Sequence, residues 1–349
     1  TLTSTVMAGL TPGTTYYYAI YSFNAANVTD LSFPPASPQS LGPTAAVQTL
    51  PLAATPAAPS GVTTSTVTWN WANPSTGAAP FGVSVQASSV GAVSVALSST
   101  TATYTEGGLS PNTAYTRLVR VANGWGFTDS VTMSTTTLAN VPAAMTFPAA
   151  SSTTVTLAWA PPTDGAGSYL VERATDAGGA WATVVGPTAG AYTTTGYVNA
   201  DLAADTRYWY RVLAYNSGGT LNLTPSATAQ VTTRPIAPVG FAGVAQSTGG
   251  ITWSWTDNAA NETGYEVRAD TSDGLVASLT PNTTFFNEAL LSPNTAYTRH
   301  VHSVVASGEG SASNSATQTT LANIPAAPTP NSVTPTAITV NWVAPPPGG

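Results

Sequence analysis

Leu10-Thr-Pro-Gly-Thr-Thr-Tyr16 is the first of four related strings. Leu109-Ser-Pro-Asn-Thr-Ala-Tyr115, Leu202-Ala-Ala-Asp-Thr-Arg-Tyr208 and Leu291-Ser-Pro-Asn-Thr-Ala-Tyr297 follow. Their leucines are 99, 93 and 89 residues apart. A period near this length predicts a tandem array of one small domain. A second element precedes the string at the same period: Val67-x-Trp69-x-Trp71, Val155-x-Leu157-x-Trp159, Ile251-x-Trp253-x-Trp255 and Ile338-x-Val340-x-Trp342. Strict alternation puts the three side chains on one face of a strand. Turn residues come next at Asn73-Pro74, Pro161-Pro162, Asp257-Asn258 and Pro345-Pro346.

The composition agrees. Charged residues are 7% of the 349, against roughly 25% in ordinary soluble domains. Nine Trp, 14 Tyr and eight Phe exclude a disordered chain. Thr, Val, Tyr and Trp favour a pleated surface, so the fold class is all-β. All eight basic residues are Arg, set against 15 acids for a net charge of −7. No basic face is available to neutralise phosphates, which excludes nucleic acid as a partner. No apolar run is long enough to insert into a membrane as a helix. The absence of Cys excludes a disulfide scaffold.

A Trp ending one strand, the L-x-P-x-T-x-Y string leading into another, and a later Asn (Asn24, Asn123, Asn216) resemble fibronectin type III domains. Trp255-Thr-Asp-Asn258 followed by Asn261-Glu-Thr-Gly-Tyr265 resembles a loop of bacterial members. The resemblance covers essentially the whole chain. It implies immunoglobulin-like β-sandwiches with Trp71, Trp159, Trp255 and Trp342 in their cores. It also implies tyrosine corners at Tyr16, Tyr115, Tyr208 and Tyr297, each phenol bonded to backbone just upstream. Function does not follow from it, because the fold serves many roles. Domains are placed at 1–50 (partial), 51–138, 139–233, 234–321 and 322–349 (partial), joined by short proline-bearing segments. The partial ends point to a window from a longer array, or to half-domains completed by neighbouring molecules.

A longer period lies over the short one. Leu109–Arg117 is letter-identical to Leu291–Arg299, and Trp71 and Trp255 are 184 residues apart. Two residues after the motif tyrosine stands an aromatic (Tyr18, Tyr210) or an arginine (Arg117, Arg299). The array therefore alternates two types, A-B-A-B-A. Arg117 and Arg299 fall on the inward face, where they are expected to stack on Trp69 and Trp253 or to reach out at the sandwich end.

Candidates for chemistry are sparse. His300 and His302, the only histidines, share one face of a strand and are expected to face solvent. No third metal ligand lies nearby in sequence, and catalytic zinc wants three. Asp257, Asn258, Asn261 and Glu262 are expected to cap their own turn and not to bind calcium. No catalytic residue, metal or cofactor is predicted, and the segment is not read as an enzyme. Four N-x-[ST] sequons, at Asn27, Asn222, Asn261 and Asn282, are no more than chance supplies in so Ser- and Thr-rich a chain.

Binding or interface candidates are outward aromatics: Tyr17 and Trp209 on type A strands, and Trp125 and Phe127 at a loop tip. These features, with the missing edge-strand lysines, point to an extracellular filament or cell-surface fibre held by non-covalent self-association. Two alternatives stand beside it. One is an adhesin stalk taking a glycan or surface-protein ligand. The other is a spacer within a secreted carbohydrate-active enzyme.

Overall fold

The structure, a computed structural model, describes residues 4–22, 40–41, 45–74, 82–87, 91–186, 192–260, 262–305 and 308–345. Asn24, Asn27, Asn261 and Pro346 lie outside the described residues. The described residues form strands joined by turns, with no helix among them. The all-β reading holds, and the architecture is a series of β-sandwiches. The chain divides into two compact units. One comprises 1–141 with 162–169 and 213–224, and the other 142–161, 170–212 and 225–349.

In the first unit, Thr55–Ser60, Val67–Ala72 and Thr103–Glu106 make a three-stranded sheet. A second sheet surrounds the long strand Ala114–Asn123, which pairs with Gly82–Ala87, Gly126–Asp129 and Met133–Thr136. Alternation decides what lies between them: Val67, Trp69 and Trp71 are buried, as are Val83, Val85, Val119 and Val121. Burying each such side chain contributes about 1.5–3 kcal/mol. Earlier in this unit Thr15–Tyr18 pairs with Ala45–Gln48.

The plan recurs further along the chain. Thr146–Ala150, Val155–Ala158 and Gly196–Asn199 form one sheet, with Val155, Leu157 and Trp159 buried. Ala182–Val185, Ser168–Ala174, Arg207–Tyr215 and Ala229–Thr232 form another. Val239–Ser247, Gly250–Thr256 and Phe285–Glu288 face a five-stranded sheet centred on Ala296–Val305. There Phe241 stacks on Trp253, ring centroids 5.4 Å apart. The last hairpin, Thr329–Val333 with Ile338–Asn341, departs from the expected core. Ile338, Val340 and Trp342 share a face but are exposed, Trp342 by 62%. No second sheet covers that face among the described residues.

The L-x-P-x-T-x-Y string makes the same corner four times. The phenol oxygen of Tyr16 accepts from the N–H of Thr11, Tyr115 from Ser110, Tyr208 from Ala203 and Tyr297 from Ser292, at 2.8–3.0 Å. The residue between Pro (or Ala) and Thr has positive φ: Gly13, Asn112, Asp205 and Asn294. Only such residues tolerate the left-handed region well, which explains why that variable position is so restricted. Each corner is locked by a threonine at the end of the closing strand. Thr49, Thr137, Thr233 and Thr320 accept the N–H of the motif threonine, at 2.9–3.0 Å. Their hydroxyls also donate to a carbonyl of the corner at 2.7 Å.

Candidate functional site

The alternation of domain types has a structural basis in a second residue, three before the motif leucine. In type B it is Glu106 or Glu288, and both are buried. Glu106 receives Arg117 Nη2 at 2.5 Å, Arg117 Nε at 2.9 Å and Trp69 Nε1 at 2.8 Å. Glu288 receives Arg299 Nη2 at 2.7 Å and Trp253 Nε1 at 2.7 Å. A guanidinium this deep needs a bidentate anion, and the glutamate supplies it. The arginines also lie over aromatic rings, Arg117 5.9 Å from Trp69 and 5.2 Å from Tyr115. In the type A domain the corresponding residue is Asn199, which accepts from the Tyr210 phenol at 2.9 Å. The signal in sequence was the pairing of Glu with Arg and of Asn with Tyr across eleven residues. In the first copy the position is Met7.

The outward aromatics sit in different settings. Tyr17 is 80% exposed. Trp125 and Phe127 are exposed at the hairpin Asn123–Gly126, with the Arg120 guanidinium 3.5 Å from the Phe127 ring and paired to Asp129 at 2.7 Å. Trp209 is half-buried between Arg207 and Arg211 on its strand. Arg211 carries Trp181 at 4.3 Å and pairs with Glu172 at 2.6 Å. Trp181 was not anticipated because it falls outside every repeated string.

Side chains also close on the backbone of the joints. In the first unit Asn123 Nδ2 donates to the carbonyl of Thr49 at 2.8 Å, and the Thr128 hydroxyl to that of Pro51 at 2.7 Å. Asn216 Nδ2 bridges the carbonyls of Thr136 and Thr137 at 2.9 and 3.0 Å, and Asn222 holds Ala139 at 2.8 Å. In the second unit Arg234 Nε donates to Ala150 at 2.8 Å and its Nη1 to Glu309, while Ser303 holds Ile236 at 2.8 Å. Asn123 and Asn216, each eight residues after a corner tyrosine, thus clamp the segment that precedes their own sandwich; Val305 holds that place after Tyr297.

Two expectations about polar clusters come out differently. Asp257 accepts from Ala259 N at 3.1 Å and from the Tyr265 phenol, and Glu262 accepts from Asn282 N at 2.9 Å. Asp257 caps its own turn, whereas Glu262 departs from that expectation and holds the separate turn at Asn282, twenty residues along the chain. The histidines, in contrast, do not face solvent. His300 is 7% exposed, because neighbouring turns fold over that face of the sheet. The same folding brings acids to it that sequence distance concealed: Asp270 and Asp273 contact the His300 ring at 3.3 and 3.2 Å.

Residues 140–232 match the family model described as Fibronectin type III domain. Exoglucanase B of Cellulomonas fimi is 32% identical over 251 residues, 67% of this chain and 22% of that protein. Chitinase A1 of Niallia circulans is 33% identical over 197 residues, 52% of this chain and 26% of that protein. The chain therefore spans about a quarter or less of the length of these curated relatives. Among solved structures, a two-domain fibronectin type III segment of chicken tenascin aligns with 52% of this chain and 100% of its own, at 19% identity and a TM-score of 0.34.

Proposed function

We propose that this chain, a tandem array of fibronectin type III domains, is a non-catalytic spacer within a secreted enzyme that acts on an insoluble polysaccharide. The clamped joints carry this reading. Asn123, Asn216 and Asn222 each tie a side chain to joint backbone, and Arg234, at a joint itself, reaches out to the strand carbonyl of Ala150, which short proline-bearing links alone do not require. Such joints suit a module that holds working domains apart. Likeness to an exoglucanase and a chitinase supports the setting, with a glucan or chitin as substrate class and the extracellular space as location. Deleting residues 51–233 from the complete protein tests it. Hydrolysis of the insoluble polymer should fall several-fold while hydrolysis of a soluble oligosaccharide is unchanged. Equal losses on both, or none on the polymer, would falsify the spacer role.

A second reading is favoured by the alternating pairs, whose members recur 184 residues apart at Trp71 and Trp255, and by the bare face of Tyr17. It is a polymeric fibre in which exposed aromatics mediate self-association. A complete reading frame made of further A-B pairs, with no catalytic domain, would favour the fibre over the spacer. Trp125, Phe127, Tyr17 and Trp209 are the proposed contacts for a glycan or a neighbouring chain in either setting.

A further inference from the structure

The letter-identical strings Leu109–Arg117 and Leu291–Arg299 align the two type B sandwiches, and the next residues diverge. Leu118 and Arg120 in the earlier copy are replaced by His300 and His302 in the later one. The rings of these histidines lie 5.0 Å apart at 71°. His302 Nδ1 lies 2.9 Å from the carbonyl oxygen of Gly310. A carbonyl only accepts, so the proton sits on Nδ1 and the Nε2 lone pair is left free. That Nε2 is buried and has no hydrogen-bond partner, a costly state for an acceptor.

His300 has the complementary problem. Its Nδ1 is 3.3 Å from Asp270 Oδ1 and its Nε2 is 3.2 Å from Asp273 Oδ1. With one proton on the ring, one nitrogen meets a carboxylate lone pair to lone pair. A cation between Nε2 and Asp273 removes that conflict. The 3.2 Å separation also fits the edge of a tetrahedron with metal–ligand bonds of about 2.0 Å.

One ligand atom each from Asp273, His300 and His302 lies within 4.8 Å of the other two. Both imidazoles have an oxygen acceptor at Nδ1, the arrangement that orients metal-bound histidines. Among the described residues Glu266, Asp270, Asp273 and Glu309 gather here, with Arg268 paired to three of them and Arg234 on the backbone carbonyl of Glu309. We infer that this domain binds one divalent transition-metal ion, with zinc preferred, through His300 Nε2, His302 Nε2 and the Asp273 carboxylate. Two imidazoles and a carboxylate form a borderline donor set that suits zinc over calcium or magnesium. The ion ties the turn Asp270–Gly274 to the strand Ala296–Val305, and its fourth position is open to water.

The chain has two histidines and no cysteine, so imidazole-dependent binding can be assigned without ambiguity. Zinc chloride titrated calorimetrically into the chelator-treated 349-residue chain at neutral pH should bind one ion per chain. The H300L/H302R double variant, which installs the residues of the sister domain, should weaken binding by roughly tenfold or more, as should D273N. Near-ultraviolet circular dichroism checks that the variants fold. Imidazole nitrogen NMR on the unaltered chain needs no variant, and zinc should shift both Nε2 resonances. Absence of heat and of any imidazole shift would overturn the site. Unchanged affinity in the folded double variant would do so equally, and unchanged affinity in D273N alone would remove Asp273 from the ligand set.

Discussion

Trp69 Nε1 donates to a carboxylate oxygen of Glu106 at 2.8 Å, and that oxygen also accepts from Arg117 Nε at 2.9 Å. The carboxylate is thereby held inside the sandwich by one neutral and one charged donor group. Removing the cation leaves a buried anion with an indole alone. Arg117→Met should therefore destabilise this sandwich by about 3–5 kcal/mol. Glu106→Leu combined with Arg117→Met should recover most of the loss, since an apolar pair of similar volume carries no desolvation cost. Arg120→Met, which breaks a half-exposed pair with Asp129, should cost about 0–1 kcal/mol. Urea denaturation followed by tryptophan fluorescence separates these outcomes. Equal costs for Arg117→Met and Arg120→Met would contradict the buried-pair argument.

The tyrosine corners allow a graded comparison. The Tyr115 and Tyr297 bonds are exposed, so after Tyr→Phe water can satisfy the freed N–H of Ser110 or Ser292. About 1 kcal/mol should be lost at each. The Tyr208 bond to Ala203 N is partly buried and the ring itself is buried, so Tyr208→Phe should cost about 1–3 kcal/mol. Domain-by-domain denaturation midpoints measure the order, and Tyr115→Phe proving the costlier change would contradict it.

The sandwich itself was legible because its determinants are local. Val67, Trp69 and Trp71 alternate on one strand, and the corner lies within seven consecutive residues. What was missed depends on residues that meet across the fold. The partners of Arg117 and Arg299 were sought among aromatics, but the deciding groups were Glu106 and Glu288 on another strand. Thr49, Thr137, Thr233 and Thr320 lock the corners from up to 38 residues away. His300 and His302 lacked a third ligand in sequence because Asp273 stands 27 residues earlier, beyond any local spacing rule. Trp342 obeys the alternation, yet alternation states only which residues share a face and not whether a second sheet covers it.

Alkali should act through the buried phenols. Burial pushes the Tyr210 phenol up to about 12, from near 10 in an unfolded chain. The unfolded state therefore releases its proton first, so stability present below pH 10 is lost as pH rises toward about 12. The shift corresponds to roughly 2–3 kcal/mol. Burial raises Tyr265 as well, reinforced by its bond to Asp257, so the later type B sandwich should respond in the same direction. Denaturation midpoints from pH 8 to 12, with tyrosinate absorbance followed in parallel, test this. Tyr210→Phe should lower stability at pH 8 through loss of the Asn199 bond but flatten the alkaline slope. An unchanged slope would assign the alkaline loss to other groups.

The joint asparagines differ in what their loss exposes. Asn216 is 1% exposed, and its Nδ2 serves two carbonyls while its Oδ1 accepts from Thr220 N at 2.7 Å. Asn216→Ala strips partners from three backbone groups together, so a cost of about 1–3 kcal/mol is expected. Asn123 serves one carbonyl across the joint, that of Thr49, in a partly buried setting, and its Oδ1 accepts from the exposed N–H of Trp125 at 3.0 Å, which water can replace. Its replacement by Ala should cost less, about 0.5–1.5 kcal/mol. The direct readout is local: cleavage of residues 136–142 by a broad-specificity protease under native conditions. Asn216→Ala should speed that cleavage while leaving cleavage near Thr49 unchanged, and Asn123→Ala should do the reverse. If Asn216→Ala lowered global stability without exposing 136–142, the side chain would be holding its own loop, and the joint would owe its order to the prolines.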